Sequence, residues 1–401
     1  MSTSIGDHIR SLREFRDLTQ EGLASRAGVS VDIIRKLEQG RRQTARITTL
    51  RALARALDVQ LERLVGQPTV TQQLTDDGGL IALRDAIQDI GALPGVLAED
   101  DAEDPPSEPA WVASVKAATT QYWQGEYSGL SAALPLILRD GRAVARQTST
   151  ERVWQQLALA YQLAACLATQ AGHPDWAYTA VEKQLAAAAR ASDPLMEGIG
   201  VSTLSWVLLR QGRWEQAQDI AVRKAEALEP SFMKGTPAQF AVYGNLLVAA
   251  ATPAARRDDH DRAIELLSGA EAAAVRSGPV RAYGTAFSVT DVRTQKVNVA
   301  LAGSENRPEK ALEFAGEVRV GEISRPVHSA SYRVDVAQAQ YQTGDSEGAL
   351  TTLLEVEEDQ PEWIKLQVLA SATVREMLEA ERRRNTPLRG LAARLGVDPA
   401  L

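Results

Sequence analysis

Cysteine is almost missing from this 401-residue chain: Cys166 is the only one, so no disulfide can form within it. It lies in the apolar run Leu163 to Leu167 and reads as a small core residue. The four histidines, His8, His173, His260 and His328, are scattered without ligand spacing, so neither a zinc site nor any other cofactor is expected. Aromatic residues make up only 5% of the chain while Ala and Leu abound, which argues against a β-sandwich or barrel and for helices packed through small side chains. Long hydrophobic runs are missing too. No stretch of about 18 apolar residues could cross a bilayer, and Met1 to Leu12 carries charge early without an apolar core segment. The expectation is a cytoplasmic protein with no membrane partner. Signals for catalysis are equally thin. Ser231-Phe-Met-Lys234 matches an acylating Ser-x-x-Lys pair, but it sits between Pro230 and Pro237 with no partner motif. Gly198-Ile-Gly200 lacks a third glycine and a preceding strand. An enzyme is not expected.

What is present is charge, unevenly divided. Residues 1–66 hold 12 Lys/Arg against 8 Asp/Glu, a net of +4, and residues 67–401 hold 32 against 44, a net of −12. A basic module on an acidic body suits one face meeting nucleic acid while the remainder is repelled from it. Residues 67–110 form a second section with ten acidic residues, one basic residue and five prolines, read as a solvated linker. Within it Leu80, Leu83, Ile87 and Ile90 fall at helical spacing and predict one amphipathic helix over 80–93.

Residues 111–384 carry a degenerate repeat. Each unit is an apolar helix, a turn, and a second helix led by a small or apolar residue. The turns include Gly172-His-Pro-Asp-Trp-Ala177, Gly212-Arg-Trp-Glu-Gln-Ala217, Asp258-Asp-His-Asp-Arg-Ala263 and Gly344-Asp-Ser-Glu-Gly-Ala349. The anchors at 130, 177, 217, 263, 311 and 349 are 47, 40, 46, 48 and 38 residues apart. A small residue there lets two helices approach closely. A last helix, 363–383, would cap the stack, and the tail 385–401 would add a short helix at 388–395.

The first 66 residues read as five short helices. Ile5, Ile9, Leu12 and Phe15 make the apolar stripe of the first. Thr19 caps the second, which runs from Gln20 to Arg26 with Leu23 and Ala24 inward, and Gly28 ends it. Ser30 caps the third, Val31 to Glu38, with Ile34 and Leu37 inward and Gly40 at its end. Helix four spans about 47–57 and a fifth spans 61–65.

The run Leu18-Thr-Gln-Glu-Gly-Leu-Ala-Ser-Arg-Ala-Gly-Val-Ser30, then Ile34-Arg-Lys-Leu-Glu-Gln-Gly40, then Leu50-x-x-Leu-Ala-x-x-Leu57, resembles the Cro/repressor-type (XRE) helix-turn-helix family over the whole module. Two positions depart from it: Gly22 stands where an acidic residue is common and Asp58 where glycine is usual. The resemblance implies that the third helix enters the major groove, with Val31, Asp32 and Lys36 toward bases and Arg35 at base or backbone. It implies phosphate contacts for Gln20, Arg41, Arg42 and Arg46, with Ser30 beside them mainly as a cap. Asp32 has two readings: an acceptor for cytosine N4, or a dipole-complementing acid paired with Arg35 or Lys36.

The repeat section resembles the tetratricopeptide repeat, best at 212–217 and 344–349, with longer intervals than that family's 34 residues; a generic bundle of Ala-rich hairpins is the alternative. The fold class expected is thus all-α, a helix-turn-helix domain followed by a stack of α-hairpins. The combination is similar to the peptide-sensing RRNPP-type regulators and related actinobacterial XRE proteins. That resemblance implies a dimeric transcriptional regulator on a two-fold DNA operator, modulated by a signalling peptide or small ligand. Gln162, Trp206, Arg210, Asn245 and Gln338, on the first helices of successive repeats, would line a ligand groove, or else be solvated or packing positions. Two alternatives stand beside it: a ligand-independent repressor, and an antitoxin-like scaffold that autoregulates.

Overall fold

The computed structural model describes residues 5–42, 45, 47–57, 59, 64, 79–89, 105–380 and 385–397. Within these the chain is helical apart from one short hairpin. The N-terminal head comprises α1 (Ile5–Phe15), α2 (Gln20–Ala27), α3 (Val31–Glu38) and α4 (Ile47–Ala56). Its punctuation follows the local chemistry. Thr19 Oγ1 accepts from the Gly22 amide at 2.9 Å, which satisfies one unpaired donor of α2. Gly28 adopts φ 65°, and its amide closes on the carbonyls of Ala24 and Ser25. Ser30 stands at the N-cap of α3 in extended conformation, yet its side chain makes no capping bond, contrary to expectation. Ile9, Leu23, Ile34, Leu37, Leu53, Leu57 and Leu64 fill a core that belongs to the head alone. Of the expected fifth helix only Leu64 is described, and it is buried.

Phe15 departs from the expected stripe: it is 80% exposed. At about 100° per residue it lies roughly 80° around α1 from Ile5, whereas Ile9 and Leu12 stay within about 40°. Gly6 explains how closely α1 lies on α3, because a Cβ there would stand 2.0 Å from the Leu37 carbonyl oxygen.

A helix α5 (Gly79–Ile87) follows. Leu80, Leu83 and Ile87 are fully buried in the core of the second domain, so this part of the acidic section is docked on the scaffold. Ile90 lies outside the described residues.

Six α-hairpins come next: α6 (Glu108–Gln124) with α7 (Tyr127–Gln147), α8 (Glu151–Gln170) with α9 (Pro174–Arg190), α10 (Pro194–Arg210) with α11 (Trp214–Ala227), α12 (Pro237–Arg256) with α13 (His260–Ser277), α14 (Val289–Leu301) with α15 (Pro308–Ala315), and α16 (Pro326–Gln342) with α17 (Ser346–Asp359). The anchors behave as their spacing predicts. Leu130, Ala177, Ala217, Ala263, Ala311 and Ala349 are all 0% exposed. Four of the turns before them hold a left-handed glycine, Gly125, Gly172, Gly212 and Gly344, and Asp258 takes the same conformation at φ 64°.

Beyond α17 the expected single helix is interrupted. A 3-10 turn at Ile364–Leu366 precedes α18 (Val368–Glu379), because Gln367 is extended at φ −91°, ψ 103°. The tail helix α19 (Thr386–Arg394) is capped by Asn385, and buries Leu388, Leu391 and Ala392.

Two features lay beyond the sequence reading. First, β1 (Val280–Ala282) and β2 (Thr285–Phe287) pair antiparallel across Tyr283 and Gly284. Both turn residues have positive φ, 53° and 70°, as a two-residue hairpin of this twist requires. Trp123 Nε1 on α6 donates to the Gly284 carbonyl at 3.0 Å, and Tyr283 packs against both scaffold cores. The hairpin thus links the first repeat to the fourth. Second, the stack closes. Residues of α16 to α19 share one apolar core with α5 to α10, the Ser128 amide donates to Glu362 at 2.8 Å, and Gln367 bonds Gln170 at 3.3 Å.

Gly244 of α12 sits under Phe287 of the hairpin, and a Cβ there would meet the ring at 2.0 Å. Phe287 is 2% exposed and cannot swing out cheaply. Gly244→Ala is therefore expected to cost about 1–3 kcal/mol or more through overpacking and to lower the scaffold melting temperature by several degrees. An unchanged melting curve would show that the hairpin yields freely.

Candidate nucleic-acid interface

The head turns one face of α3 to solvent. Asp32, Arg35 and Lys36 are exposed, while Ile34 and Leu37 anchor the opposite side of the helix. Val31 is half-buried and packs against the head core, so only part of its side chain is available. Lys36 Nζ lies 2.7 Å from Asp32 Oδ2, an i, i+4 pair with both partners more than half exposed. The geometry matches the reading of Asp32 as an acid in the first turn of its helix, held by a cation one turn on. An exposed pair of this kind contributes at most about 1 kcal/mol, so it opens readily when another acceptor approaches Lys36.

Arg41 and Arg42 follow a left-handed Gly40, at φ 66°, and the Arg42 amide donates back to the Lys36 carbonyl at 3.0 Å. This folds the loop onto the end of α3 and leaves both arginine residues exposed. Arg46 lies outside the described residues. Ser30 is exposed at the other end of the helix.

Gln20, at the start of α2, is half-buried, and its Nε2 donates to Glu38 Oε2 at 2.8 Å. Glu38 is the residue that sequence reasoning missed. It is 4% exposed at the end of α3. Arg13 of α1 grips it with two bonds, Nε to Oε1 at 2.7 Å and Nη2 to Oε2 at 2.9 Å, and then donates from Nη1 to the Leu18 carbonyl. Arg10 adds a further cation at 3.8 Å. One carboxylate therefore ties α1 and α2 to the base of α3. Burial pushes its pKa up, but the bonds from Arg13 and Gln20 and the nearby cations outweigh that, so it titrates below the ordinary carboxylate range. The partners lie 18 and 25 residues away, a pairing that no local pattern announces.

The five scaffold residues expected to line a groove meet different surroundings. Gln162 is buried, accepts from Gln184 at 3.3 Å and lies against Gly284 of the hairpin. Asn245 donates to the carbonyl of Ala241 in its own helix. Trp206 and Arg210 are half-buried on α10. Gln338 is 0% exposed and faces the head: its Oε1 accepts from Arg51 of α4. Among the described residues no cluster of His, Cys, Asp or Glu could hold a metal, and none of their helices is long and apolar enough to cross a membrane. Cys166 packs against the scaffold core, where burial pushes its thiol up to about 12, far from reactive.

Residues 4–65 match the family model described as a helix-turn-helix domain. Over 62 residues the chain is 40% identical to the HTH-type transcriptional repressor RghR of Bacillus subtilis; the match covers 16% of this chain and 46% of the repressor, less than half of its length. Two solved structures resemble larger parts of the chain. One is PlcR of Bacillus thuringiensis in complex with the peptide PapR7 and DNA, at 11% identity over 84% of this chain and 99% of that one, with a TM-score of 0.37. The other is the apo form of the competence regulator ComR of Streptococcus vestibularis, at 14% identity over 89% and 98%, with a TM-score of 0.30. The chain thus carries an N-terminal helix-turn-helix domain, and the described residues from 108 to 359 beyond it form a stack of α-hairpins.

Proposed function

We propose that this protein is a sequence-specific, DNA-binding transcriptional regulator. The observation that carries the reading is the exposed row Asp32, Arg35 and Lys36 on α3, continued by Arg41 and Arg42, on a head of net charge +4. A helix whose apolar side is locked into a small core and whose outer side is basic is built to enter a groove. The likeness of the head to a transcriptional repressor supports the same reading. In it Lys36 and Arg35 meet base edges, while Arg41, Arg42, Arg46 and the amino end of α2 with Gln20 hold phosphates. The scaffold joins two chains, so that two heads span a two-fold operator, and a peptide or small ligand bound by the scaffold alters their spacing.

A second reading keeps the DNA contact and drops the ligand. The burial of Gln162 and Gln338 favours it, since a groove ligand would have to displace the hairpin from one and the head from the other. Mapping bound DNA across the producing genome, with and without culture extract, separates the two. Extract-dependent occupancy supports the sensor, and identical maps leave the ligand-independent repressor.

The two kinds of contact separate in a simple titration. Arg41→Ala is expected to weaken binding to operator and random DNA alike, and to flatten the salt dependence by about one phosphate contact. Lys36→Ala is expected to cost roughly 1–3 kcal/mol at one operator position and little on random DNA. Equal losses on both DNAs for Lys36→Ala would remove that residue from base recognition.

A further inference from the structure

The head is not merely tethered to the scaffold. Arg51, on α4, reaches across and donates from Nη1 to the Leu301 carbonyl at 2.7 Å and from Nη2 to Gln338 Oε1 at 3.1 Å. Arg55, one turn further on, pairs with Asp258 in the turn before α13. The socket under Arg51 is built for a cation. Leu301 is the last residue of α14, so its carbonyl belongs to the negative end of a helix. Gln338 is wholly buried, and Asp335, one turn earlier on α16, is 6% exposed. Asn298 of α14 donates to both Asp335 oxygens at 3.1 and 3.3 Å, and the charged groups that act on it are Arg51 from α4 and Arg256 from α12. Withdrawing Arg51 would leave the buried Gln338 amide oxygen without its donor and take a cation away from a buried carboxylate, which is costly.

The same pose works against DNA. Arg42, beside the recognition helix, stands at a cleft of about 750 Å³ that Glu305, Glu376 and Glu379 also line, and its charge is felt by Glu379. A phosphate arriving at Arg42 in the docked head meets three carboxylates.

We propose that α4 and the end of the scaffold formed by α14 and α16 make a docking interface keyed by Arg51, and that the docked head is the weak DNA-binding form of this protein. The proposal rests on the DNA-binding reading and needs no ligand. It makes the effect of Arg51→Ala opposite in sign to simple electrostatics, because loss of a cation from a DNA-binding head by itself lowers affinity.

Asp335 adds a proton signature. Burial pushes its carboxyl up to about 6, with Arg51 and Arg256 holding it from going higher. Removing the Arg51 charge raises it further, so the Arg51 contact favours the ionised form. The docking contribution is present in full above the undocked pKa, and is lost as pH falls through about 6.

The test uses the full chain, with Arg51→Ala and Gln338→Ala, a neutral substitution deep in the scaffold. Hydrogen exchange over Leu50 to Ala56 reads docking, and anisotropy of a random-sequence 30-base-pair duplex reads affinity. Both variants should exchange faster over α4 and bind the duplex about five- to tenfold tighter. Wild type at pH 5.5 should approach the Arg51→Ala exchange pattern once intrinsic rates are corrected, while Arg51→Ala itself should not change further. If Gln338→Ala disturbs the scaffold, Arg55→Ala on the exposed side of the interface should give the same sign with a smaller change. Unaltered exchange in all variants would overturn the interface. Faster exchange with equal or weaker duplex binding would overturn the weak-form assignment. Should no form bind any duplex, the DNA-binding reading falls, and the exchange data still decide the docking.

Discussion

Glu38→Ala should unfold the DNA-binding head and leave the scaffold standing. Removing one member of a buried ion pair costs about 3–5 kcal/mol, because its partner is left charged and poorly solvated. Here that partner is Arg13, whose side chain is 13% exposed and makes two of its bonds to Glu38. A domain of this size holds roughly 3–9 kcal/mol in total, at 0.05–0.15 kcal/mol per residue. One substitution therefore consumes most of the margin, and Gln20 loses its anchor as well. The chain offers a clean readout: its first tryptophan is Trp111 and its first tyrosine Tyr122, so intrinsic fluorescence sees only the scaffold. The expected result is a scaffold that still melts cooperatively by fluorescence, exchange of the α1–α3 amides at nearly unfolded rates, and no DNA binding. Native-like protection of Ile34 and Leu37 in the variant would sink the idea that Glu38 is the head's clasp. Acid should imitate the mutation. Since the folded pKa of Glu38 lies below its ordinary value of about 4.3, the bonus is complete above that value and fades as pH falls through the folded pKa. The head should thus loosen in acid before the scaffold does.

A fragment of residues 1–70 is expected to fold alone and to bind DNA at least a hundredfold more weakly than the full chain. Folding follows from the core: Ile9, Leu23, Ile34, Leu37, Leu53 and Leu57 are 0–1% exposed and pack with one another, not with the scaffold. The loss in affinity follows from the proposed pairing of heads through the scaffold, in which a lone head reads one half-site and a tethered pair reads two, and tethering is worth factors of 10² to 10⁴. Release from Arg51 docking acts in the opposite direction, but returns at most about tenfold. Comparing the two proteins on the same operator by anisotropy checks it. Equal affinities would mean that one head suffices and that the scaffold does not pair heads.

Much of this molecule is legible in its sequence where the determinants are local. Thr19, Gly28 and Gly40 mark the ends of α2 and α3 because a cap oxygen and a left-handed turn are decided within a few residues. The anchors Ala177, Ala217, Ala263, Ala311 and Ala349 are legible for the same reason, since a helix crossing needs a small side chain at one fixed point. What escapes is set over long separations. Gln338 meets Arg51 across 287 residues, and its burial under the head cannot be inferred from its own helix. Glu38 looks like any charged residue at the end of a helix until Arg13 and Gln20 are seen around it. The β-hairpin is an intermediate case: Tyr283-Gly284 between Val280-Arg-Ala and Thr-Ala-Phe287 carries a turn signal, but three-residue strands are too short for their alternation to stand out among Ala-rich helices. Ser30 sits where a cap belongs without acting as one, so residue type fixed the position but not the bond.

The shared core of the first and last repeats changes how the scaffold can fail. In an open array each repeat leans only on its neighbours, so unfolding frays inward from the ends, and units can be gained or lost one at a time. Here α18 and α19 lie in the same apolar cluster as α5 to α9, and Ser128 and Gln170 are bonded to residues more than 190 positions away. Such an array has no loose end from which to fray. It should melt in one cooperative step, with the first and last repeats lost together, and clipping the final helix should weaken the opening repeats as much as the closing ones. It also forbids the usual evolutionary route of growth by duplicating a repeat, because one unit more or fewer would pull the two ends out of register.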